Sequence, residues 1–281
     1  MTTGLRNYPK RIVIELTPDC NLSCRVCPRK YIEQKKGYIP KSLWVKLIND
    51  IAKHSPGSIV IPFWRGESLL HPDFSELIEM ALKKSLRIHL STNGILAKDE
   101  VFRLLAKCEF VTFSIHTISG YNNAKKFLSF RNGKYPITQV SFVEGESSMK
   151  NICSVISSSP NLEGFDSVRV YAQHSKDGVF GSSDKKFKTK RTFCPKLEDT
   201  LVIAYDGTVS RCNHIWETEK DLNLRKMSIQ ETWGSSFLKR IRKGYPDLKC
   251  KPCGQWTGHT RGQVWQNESG KIKHKYYDGE N

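Results

Sequence analysis

The feature that most constrains this chain is a regular alternation of strand-like and helix-like segments between residues 11 and 173. Short runs of β-branched and aromatic residues predict six strands, at Arg11–Leu16, Ser58–Phe63, Arg87–Thr92, Phe110–Ile115, Ile137–Val143 and Ser167–Gln173. Between them lie amphipathic patterns typical of helices, at Pro40–His54, Pro72–Lys84, Lys98–Lys107 and Ser147–Ser158. This alternation predicts an α/β fold with a parallel sheet, and six such units can form a partial (β/α)6 TIM-like barrel.

The rest of the chain divides into three segments of different character. Residues 174–193 are rich in glycine, serine and lysine and are predicted to be a basic linker or lid. Residues 194–260 predict a small α+β domain. It has a hairpin turning at Asp206-Gly207, then one helix that begins with a Ser228/Glu231 capping box and ends at Gly244. Residues 261–281 are polar, and we expect a loosely held tail there.

Composition narrows the function classes before any motif is considered. The chain has no apolar run of the ~18 residues that a membrane span needs and no apolar stretch behind its first basic residues. We therefore expect a cytoplasmic protein without a membrane partner. In that reducing compartment, nine cysteines indicate metal binding rather than disulfides. The net charge of +17 predicts attraction to anions.

Three cysteines follow the first predicted strand within eight residues. In a parallel α/β barrel, the loops after the strands form the active-site face. A closed zinc site normally needs four protein ligands, whereas three thiolates suit a four-iron cluster with one iron open to a further ligand. We call these residues the N-terminal cysteine triad: Cys20, Cys24 and Cys27.

The CxxxCxxC spacing of the triad resembles that of the radical S-adenosylmethionine superfamily. The segment Phe63–Ser68 is similar to that family's GGEP motif, with Gly66 and Glu67 present and Arg65 and Ser68 in place of the usual glycine and proline. The resemblance implies that this segment binds the amino group of the cofactor.

Two further segments extend the resemblance along the predicted barrel. Residues 91–94 resemble the family's TNG segment beside the cofactor, which implies contacts from Ser91 and Asn93. Residues 114–116 resemble its serine–aspartate position near the ribose, which implies contacts from Ser114 and His116. The motifs occur in order, each at the end of a predicted strand.

The resemblance implies a complete reaction chemistry. A [4Fe-4S] cluster held by the triad binds S-adenosylmethionine, and an electron from a donor such as flavodoxin or ferredoxin breaks a carbon–sulfur bond. The resulting 5′-deoxyadenosyl radical abstracts hydrogen from a substrate. The cofactor performs the difficult chemistry, while the protein supplies orientation.

A second set of four cysteines lies in the C-terminal part of the chain. Their order, with Gly207 five positions before the second cysteine and a final CxxC pair, resembles the shortened "twitch" version of the SPASM extension of radical enzymes. Four thiolates suit one complete [4Fe-4S] cluster, and a four-cysteine zinc ribbon is the alternative. We call these residues the auxiliary cysteine group: Cys194, Cys212, Cys250 and Cys253.

These observations leave several functions open. The first hypothesis is oxidation of a small polar or anionic substrate (a sugar, cyclitol or nucleotide), with electron transfer to the auxiliary cluster. Arg169, in the last predicted barrel strand, is the candidate catalytic residue if it points inward, and a surface arginine if it points outward. The alternatives are a sugar epimerase, a radical enzyme that modifies a ribosomal peptide, and a basic zinc protein that binds nucleic acid. The last predicts interleaved aromatic and basic residues, a pattern that this sequence does not show.

Overall fold

A computed structural model of the chain describes residues 7–32, 36–145, 149–173, 194–246, 248–251, 253 and 262–277. Its strands are β1 (Arg11–Ile14), β2 (Ile59–Ile61), β3 (Arg87–Thr92), β4 (Phe110–Ser114), β5 (Ile137–Val143), β6 (Ser167–Tyr171), β7 (Thr200–Ile203), β8 (Thr208–Ser210), β9 (Glu219–Asn223), β10 (Gly262–Glu268) and β11 (Lys271–Tyr277). They form one sheet in the order β11-β10-β6-β5-β4-β3-β2-β1-β7-β8-β9.

The first six strands form the predicted partial barrel. Each is parallel to the next in chain order, from β1 to β6, and the sheet does not close on itself. Side chains alternate between its two faces. Ile12, Phe113 and Val168 are fully buried on the face that packs against the helices. The opposite face lines the interior of the barrel.

Helices cover the outside of this sheet. They are α1 (Lys41–His54), α2 (Phe74–Lys83), α3 (Asp99–Leu105), α4 (Ile118–Phe127), α5 (Lys150–Ser158), α6 (Pro195–Asp199), α7 (Ile229–Trp233) and α8 (Ser236–Lys243). The sequence patterns identify α1, α2, α3 and α5 but miss α4, which is largely polar and buries only Gly120, Ala124 and Phe127. No helix in the described part of the chain is both long and apolar enough to cross a membrane.

The small C-terminal domain continues the barrel sheet. Strand β7 pairs in parallel with β1, and β8 turns back against β7. Gly207 has a φ of +88° in this turn, as the predicted hairpin requires. The Ser228/Glu231 capping box is also present. The prediction of one helix is wrong, because the chain breaks at Gly234 and Ser235 caps a second helix by accepting a hydrogen bond from the Leu238 N–H.

The expectation of a loose polar tail is wrong for the described residues 262–277. They form the antiparallel hairpin β10–β11, and β10 pairs along the whole of β6. Backbone hydrogen bonds and a stacked Trp265–His274 pair, with ring centroids 4.6 Å apart, hold this hairpin without a long apolar run. The predicted basic linker or lid, 174–193, lies outside the described residues. The boundaries proposed between segments stay predictions.

Candidate functional site

The N-terminal cysteine triad lies in the loop that leaves the carboxyl end of β1. All three cysteines are partly exposed. The loop is tied to the segment after β2, where the Glu67 N–H donates to the Asp19 carbonyl at 2.7 Å. Gly66 explains how close the two segments come: a Cβ atom there would lie 2.3 Å from the Thr17 carbonyl oxygen and 2.4 Å from that of Asp19. Glycine is therefore required at position 66 for backbone packing against the cysteine loop.

The Glu67 carboxylate lies beside this loop and is buried, with 3% of the residue exposed. It accepts hydrogen bonds from the Asn93 N–H at 2.7 Å, the Thr92 hydroxyl at 2.8 Å and the Leu69 N–H at 3.1 Å. Burial raises the pKa of Glu67, while these donors and the neighbouring His116 oppose the rise. An ionised carboxylate offers about four acceptor positions, so one remains for a cationic ligand.

Asn93 connects Glu67 to the cysteine triad. Its backbone N–H donates to Glu67, and its side-chain Nδ2 lies 2.8 Å from Asn21 Oδ1 and 4.0 Å from Cys20 Sγ. The structure therefore brings together the segments after β1, β2 and β3, as the order of the sequence motifs predicts.

A row of polar side chains crosses the inner face of the barrel. Ser91 Oγ lies 3.2 Å from Ser114 Oγ, which in turn lies 3.1 Å from Ser141 Oγ. Ser141 pairs in register with Arg169 on β6, so that Arg169 is on the same face. The Arg169 guanidinium lies 4.7 Å from the ring centroid of Tyr171, two residues further along the strand.

The sequence allows Arg169 to point either into the barrel or outward. Its place on the inner face gives it the inward orientation. Ser141 is the member of the row that the sequence motifs missed, because it belongs to none of them. Ser141 could have been found from the alternation of side chains between Thr138 and Phe142. Val140 and Phe142 lie on one face of β5, so Ser141 lies on the other.

The auxiliary cysteine group gathers around one cavity of about 350 Å³, open in part to solvent. Burial raises the pKa of Cys212 to about 12, so metal binding there must displace a proton. Lys196 and Lys249 also line the cavity; burial lowers the pKa of Lys196, and Lys249 pairs with Glu217. Within the described residues, no three His, Cys, Asp or Glu side chains converge as a site for a single metal ion. A zinc ion would need four sulfurs about 2.3 Å from one point, whereas four thiolates also suit one complete four-iron cluster.

Family comparisons match both cysteine sets. The sequence pattern of the radical SAM superfamily matches residues 14–140, and that of the SPASM iron–sulfur cluster-binding domain matches residues 194–254. The chain belongs to the radical SAM superfamily. The radical SAM match contains the triad, and the SPASM match contains the whole auxiliary cysteine group.

One curated relative of this radical SAM chain is a cofactor-modifying protein for a tungsten-containing aldehyde ferredoxin oxidoreductase in Pyrococcus furiosus. The two are 28% identical over 116 residues, which are 41% of this chain and 33% of that protein. The similarity therefore covers only about a third of the relative's length.

Solved structures share the radical SAM fold over a longer span. BtrN in complex with AdoMet and 2-DOIA matches with a TM-score of 0.59 and 14% identity, covering 86% of this chain and 87% of that one. Streptococcus suis SuiB bound to the precursor peptide SuiA matches with a TM-score of 0.65 and 14% identity, covering 88% of this chain and 70% of that one. At this identity the likeness establishes the fold alone.

The cofactors of this radical SAM enzyme are S-adenosylmethionine and [4Fe-4S] clusters, as its two domains imply. The residues present fit these groups. A buried carboxylate with an acceptor position left over suits an ammonium group, and the four thiols around one cavity suit a fully ligated cluster. The basic zinc protein, the alternative without catalysis, loses its support.

Proposed function

We propose that the protein oxidises a small polar or anionic substrate inside the barrel and passes an electron to an auxiliary cluster. The observation that carries this proposal is the polar inner face, where Ser141 and Arg169 continue the row of linked hydroxyls beyond Ser91 and Ser114. A site lined with hydrogen-bond donors selects a ligand that can satisfy them, because unpaired buried polar groups are costly.

The segments beside the triad hold the cofactor in this proposal. The triad binds the first cluster, Glu67 receives the ammonium group of S-adenosylmethionine, and Asn93 fixes the Glu67 carboxylate. Ser91, Ser114 and His116 lie toward the nucleoside part, while Gly66 acts by letting the Glu67 segment approach the triad loop. When bound, the reduced cluster and S-adenosylmethionine supply a hydrogen-abstracting radical.

Arg169 then orients the substrate. Its planar guanidinium presents donors in a rigid fork that matches carboxylate or phosphate groups. Its position on the inner face supports contact with an anionic or hydroxylated substrate. BtrN, a neighbour of similar extent, was solved with the small molecule 2-DOIA, which supports a substrate of that size.

Electron removal distinguishes oxidation from epimerisation. Oxidation takes a hydrogen atom, then an electron and a proton, from the substrate, so it needs an electron acceptor and no hydrogen donor. The auxiliary cysteine group supplies a site for that acceptor. An epimerase needs a thiol-type hydrogen donor. Cys108 is buried in the hydrophobic core, and Cys153, on α5, packs against that core. The placement of these two cysteines supports oxidation.

The test is anaerobic incubation of the reconstituted protein with S-adenosylmethionine, dithionite and panels of sugars, cyclitols and nucleotides, followed by mass spectrometry. Oxidation predicts a product two hydrogens lighter than its substrate, with one 5′-deoxyadenosine formed per product. A product of unchanged mass that takes up one deuterium from heavy water would instead identify an epimerase.

Modification of a ribosomal peptide is the second candidate. The likeness to SuiB in its complex with the precursor peptide SuiA favours it. The same incubation with synthetic peptides decides the matter, since a peptide product together with unchanged small molecules would replace the first proposal.

A further inference from the structure

Two residues of the cofactor-binding segment reach away from it toward the auxiliary domain. Trp64 Nε1 donates to the Asn213 carbonyl at 2.9 Å, and Arg65 Nη1 donates to the Trp216 carbonyl at 3.1 Å. Both carbonyls belong to the loop that directly follows Cys212. We call this set of contacts the clamp.

A buried ion pair anchors the clamp. Arg65 Nε and Nη2 donate to the two carboxylate oxygens of Glu15 at 2.8 and 2.6 Å. The side chain of Arg65 is 10% exposed and that of Glu15 is fully buried. The guanidinium also lies over the Trp64 ring, 4.1 Å from its centroid. Low exposure and bidentate geometry distinguish this pair from a surface salt bridge, which contributes little.

Four consecutive residues, Trp64 to Glu67, therefore contact both the triad loop and the loop after Cys212. Gly66 and Glu67 pack against the triad loop, and Trp64 and Arg65 hold the loop after Cys212. Arg65 stands in place of a glycine of the family's motif, and a glycine at this position could make none of the side-chain contacts. Lysine could not make them all either, because a single ammonium cannot reproduce the planar fork.

We propose that Arg65 is a positioning residue that, together with Trp64, fixes the auxiliary cluster relative to the S-adenosylmethionine site. The inference rests on the proposed binding of a cluster by the auxiliary cysteine group. Sheet pairing between β1 and β7 aligns the two domains, but Cys212 lies beyond the end of β8. Ser210 Oγ donates to the Cys212 and Ile215 carbonyls and ties this loop to β8, while the clamp ties it to the cofactor segment.

The experiment compares wild type, Arg65→Lys and Arg65→Gln as reconstituted holoproteins reduced with dithionite. Iron content and electron paramagnetic resonance spectra are recorded for each. The same spectra are taken in a Cys20/Cys24/Cys27 triple alanine background, where only the auxiliary cluster contributes. The matched controls are Arg87→Lys and Arg87→Gln, since Arg87 makes an equally bidentate but exposed pair with Glu109.

The proposal predicts that the Arg65 variants keep their iron, shift the auxiliary g values and lose the wild-type spin–spin interaction between clusters. The Arg87 variants should match wild type. Arg65→Gln leaves Glu15 as an unpaired buried charge. If this variant loses iron for that reason, the Glu15→Gln/Arg65→Gln double variant, which removes the charge, is compared with wild type in its place. Two clusters with unchanged spectra in every Arg65 variant would overturn the inference alone. A wild-type protein with only the first cluster would overturn the cluster assignment as well.

Discussion

Replacing Glu67 by glutamine tests the assignment of the cofactor ammonium group most directly. The substitution keeps the shape of the side chain and removes its charge. A hydrogen bond to a charged group contributes about 1.5–3 kcal/mol, so we expect S-adenosylmethionine affinity to fall roughly 10- to 100-fold. Glu67→Ala weakens binding too, but it leaves three donors without their acceptor and destabilises the fold more.

The structure also gives the cost of this substitution to the protein itself. The Thr92 hydroxyl can rotate to accept from the new amide, but the Asn93 and Leu69 N–H groups bond to different carboxylate oxygens. One of these N–H groups must lose its acceptor, at a cost of about 1–3 kcal/mol. Relief of the buried negative charge offsets part of that cost.

The assay is equilibrium binding of S-adenosylmethionine to the reconstituted protein under anaerobic conditions, with iron content measured in parallel. Glu109→Gln is the matched control, because Glu109 is also a hydrogen-bonded carboxylate but stands before β4, at the opposite end of the strands from the triad loop. Wild-type affinity in the Glu67→Gln protein, with both clusters retained, would refute the role given to Glu67.

The pKa of Glu67 adds a pH dependence with a definite sign. Burial raises this pKa above that of the unfolded chain. The neutral carboxyl therefore stabilises the cofactor-free protein at low pH, and that contribution is lost as the pH rises through the raised pKa. Across this range the Tm of wild type should fall relative to that of Glu67→Gln, and S-adenosylmethionine should reduce the difference. A parallel pH profile for the two proteins would contradict this reasoning.

Further predictions concern the two cysteine sets, the substrate and the C-terminal hairpin. Alanine at all three triad positions should leave about half of the iron by metal analysis, and complete loss without unfolding would contradict independent sites. Cys250→Ala/Cys253→Ala should retain uncoupled cofactor cleavage but lose product by mass spectrometry, and product at the wild-type level would refute the electron-acceptor role. Arg169→Gln should raise KM for an anionic substrate more than for its neutral analogue, and equal effects would remove Arg169 from substrate binding. Gly262→Ala should lower Tm, because its Cβ would lie 1.9 Å from the Val170 carbonyl oxygen. Gly270 also has a positive φ, +84° against +146° at Gly262, but nothing lies within 4 Å of an added Cβ there. Gly270→Ala is the control, and an equal loss of Tm would count against the contact with Val170.

The barrel could be predicted from the sequence because its signals are local and repeated. Each strand is a short apolar run and most helices show an amphipathic face, so that parallel order follows from their alternation. The hairpin β10–β11 could not be predicted in this way. Its strands contain Gln263, Asn267 and several lysines, and their stability comes from pairing with β6, more than ninety residues earlier in the chain.

Some residues of the candidate site could likewise be predicted from local sequence motifs, and others could not. Motif spacing identifies the triad and Glu67, since each follows the end of a strand. Neither Ser141 nor Glu15 belongs to a motif, and their neighbours come from other strands. Arg65 was visible only as a departure from a glycine-rich pattern, and its function depends on a loop about 150 residues away in the sequence.

Strand β1 connects the two segments of the chain that carry the cysteine sets. Its carboxyl end leads directly into the triad loop, and its free edge pairs with β7 at Arg11–Thr200 through Ile14–Ile203. At the end of that pairing, the Glu15 N–H donates to the Ile203 carbonyl at 2.9 Å, while the Glu15 carboxylate holds Arg65. One residue thus joins the barrel strand, the cofactor segment and the auxiliary hairpin. A displacement of the auxiliary domain must break the hydrogen bonds between β1 and β7 and those from Trp64 and Arg65 to the loop after Cys212. The architecture therefore favours a fixed separation between the two cysteine sets, which is what the proposed electron transfer to an auxiliary cluster requires.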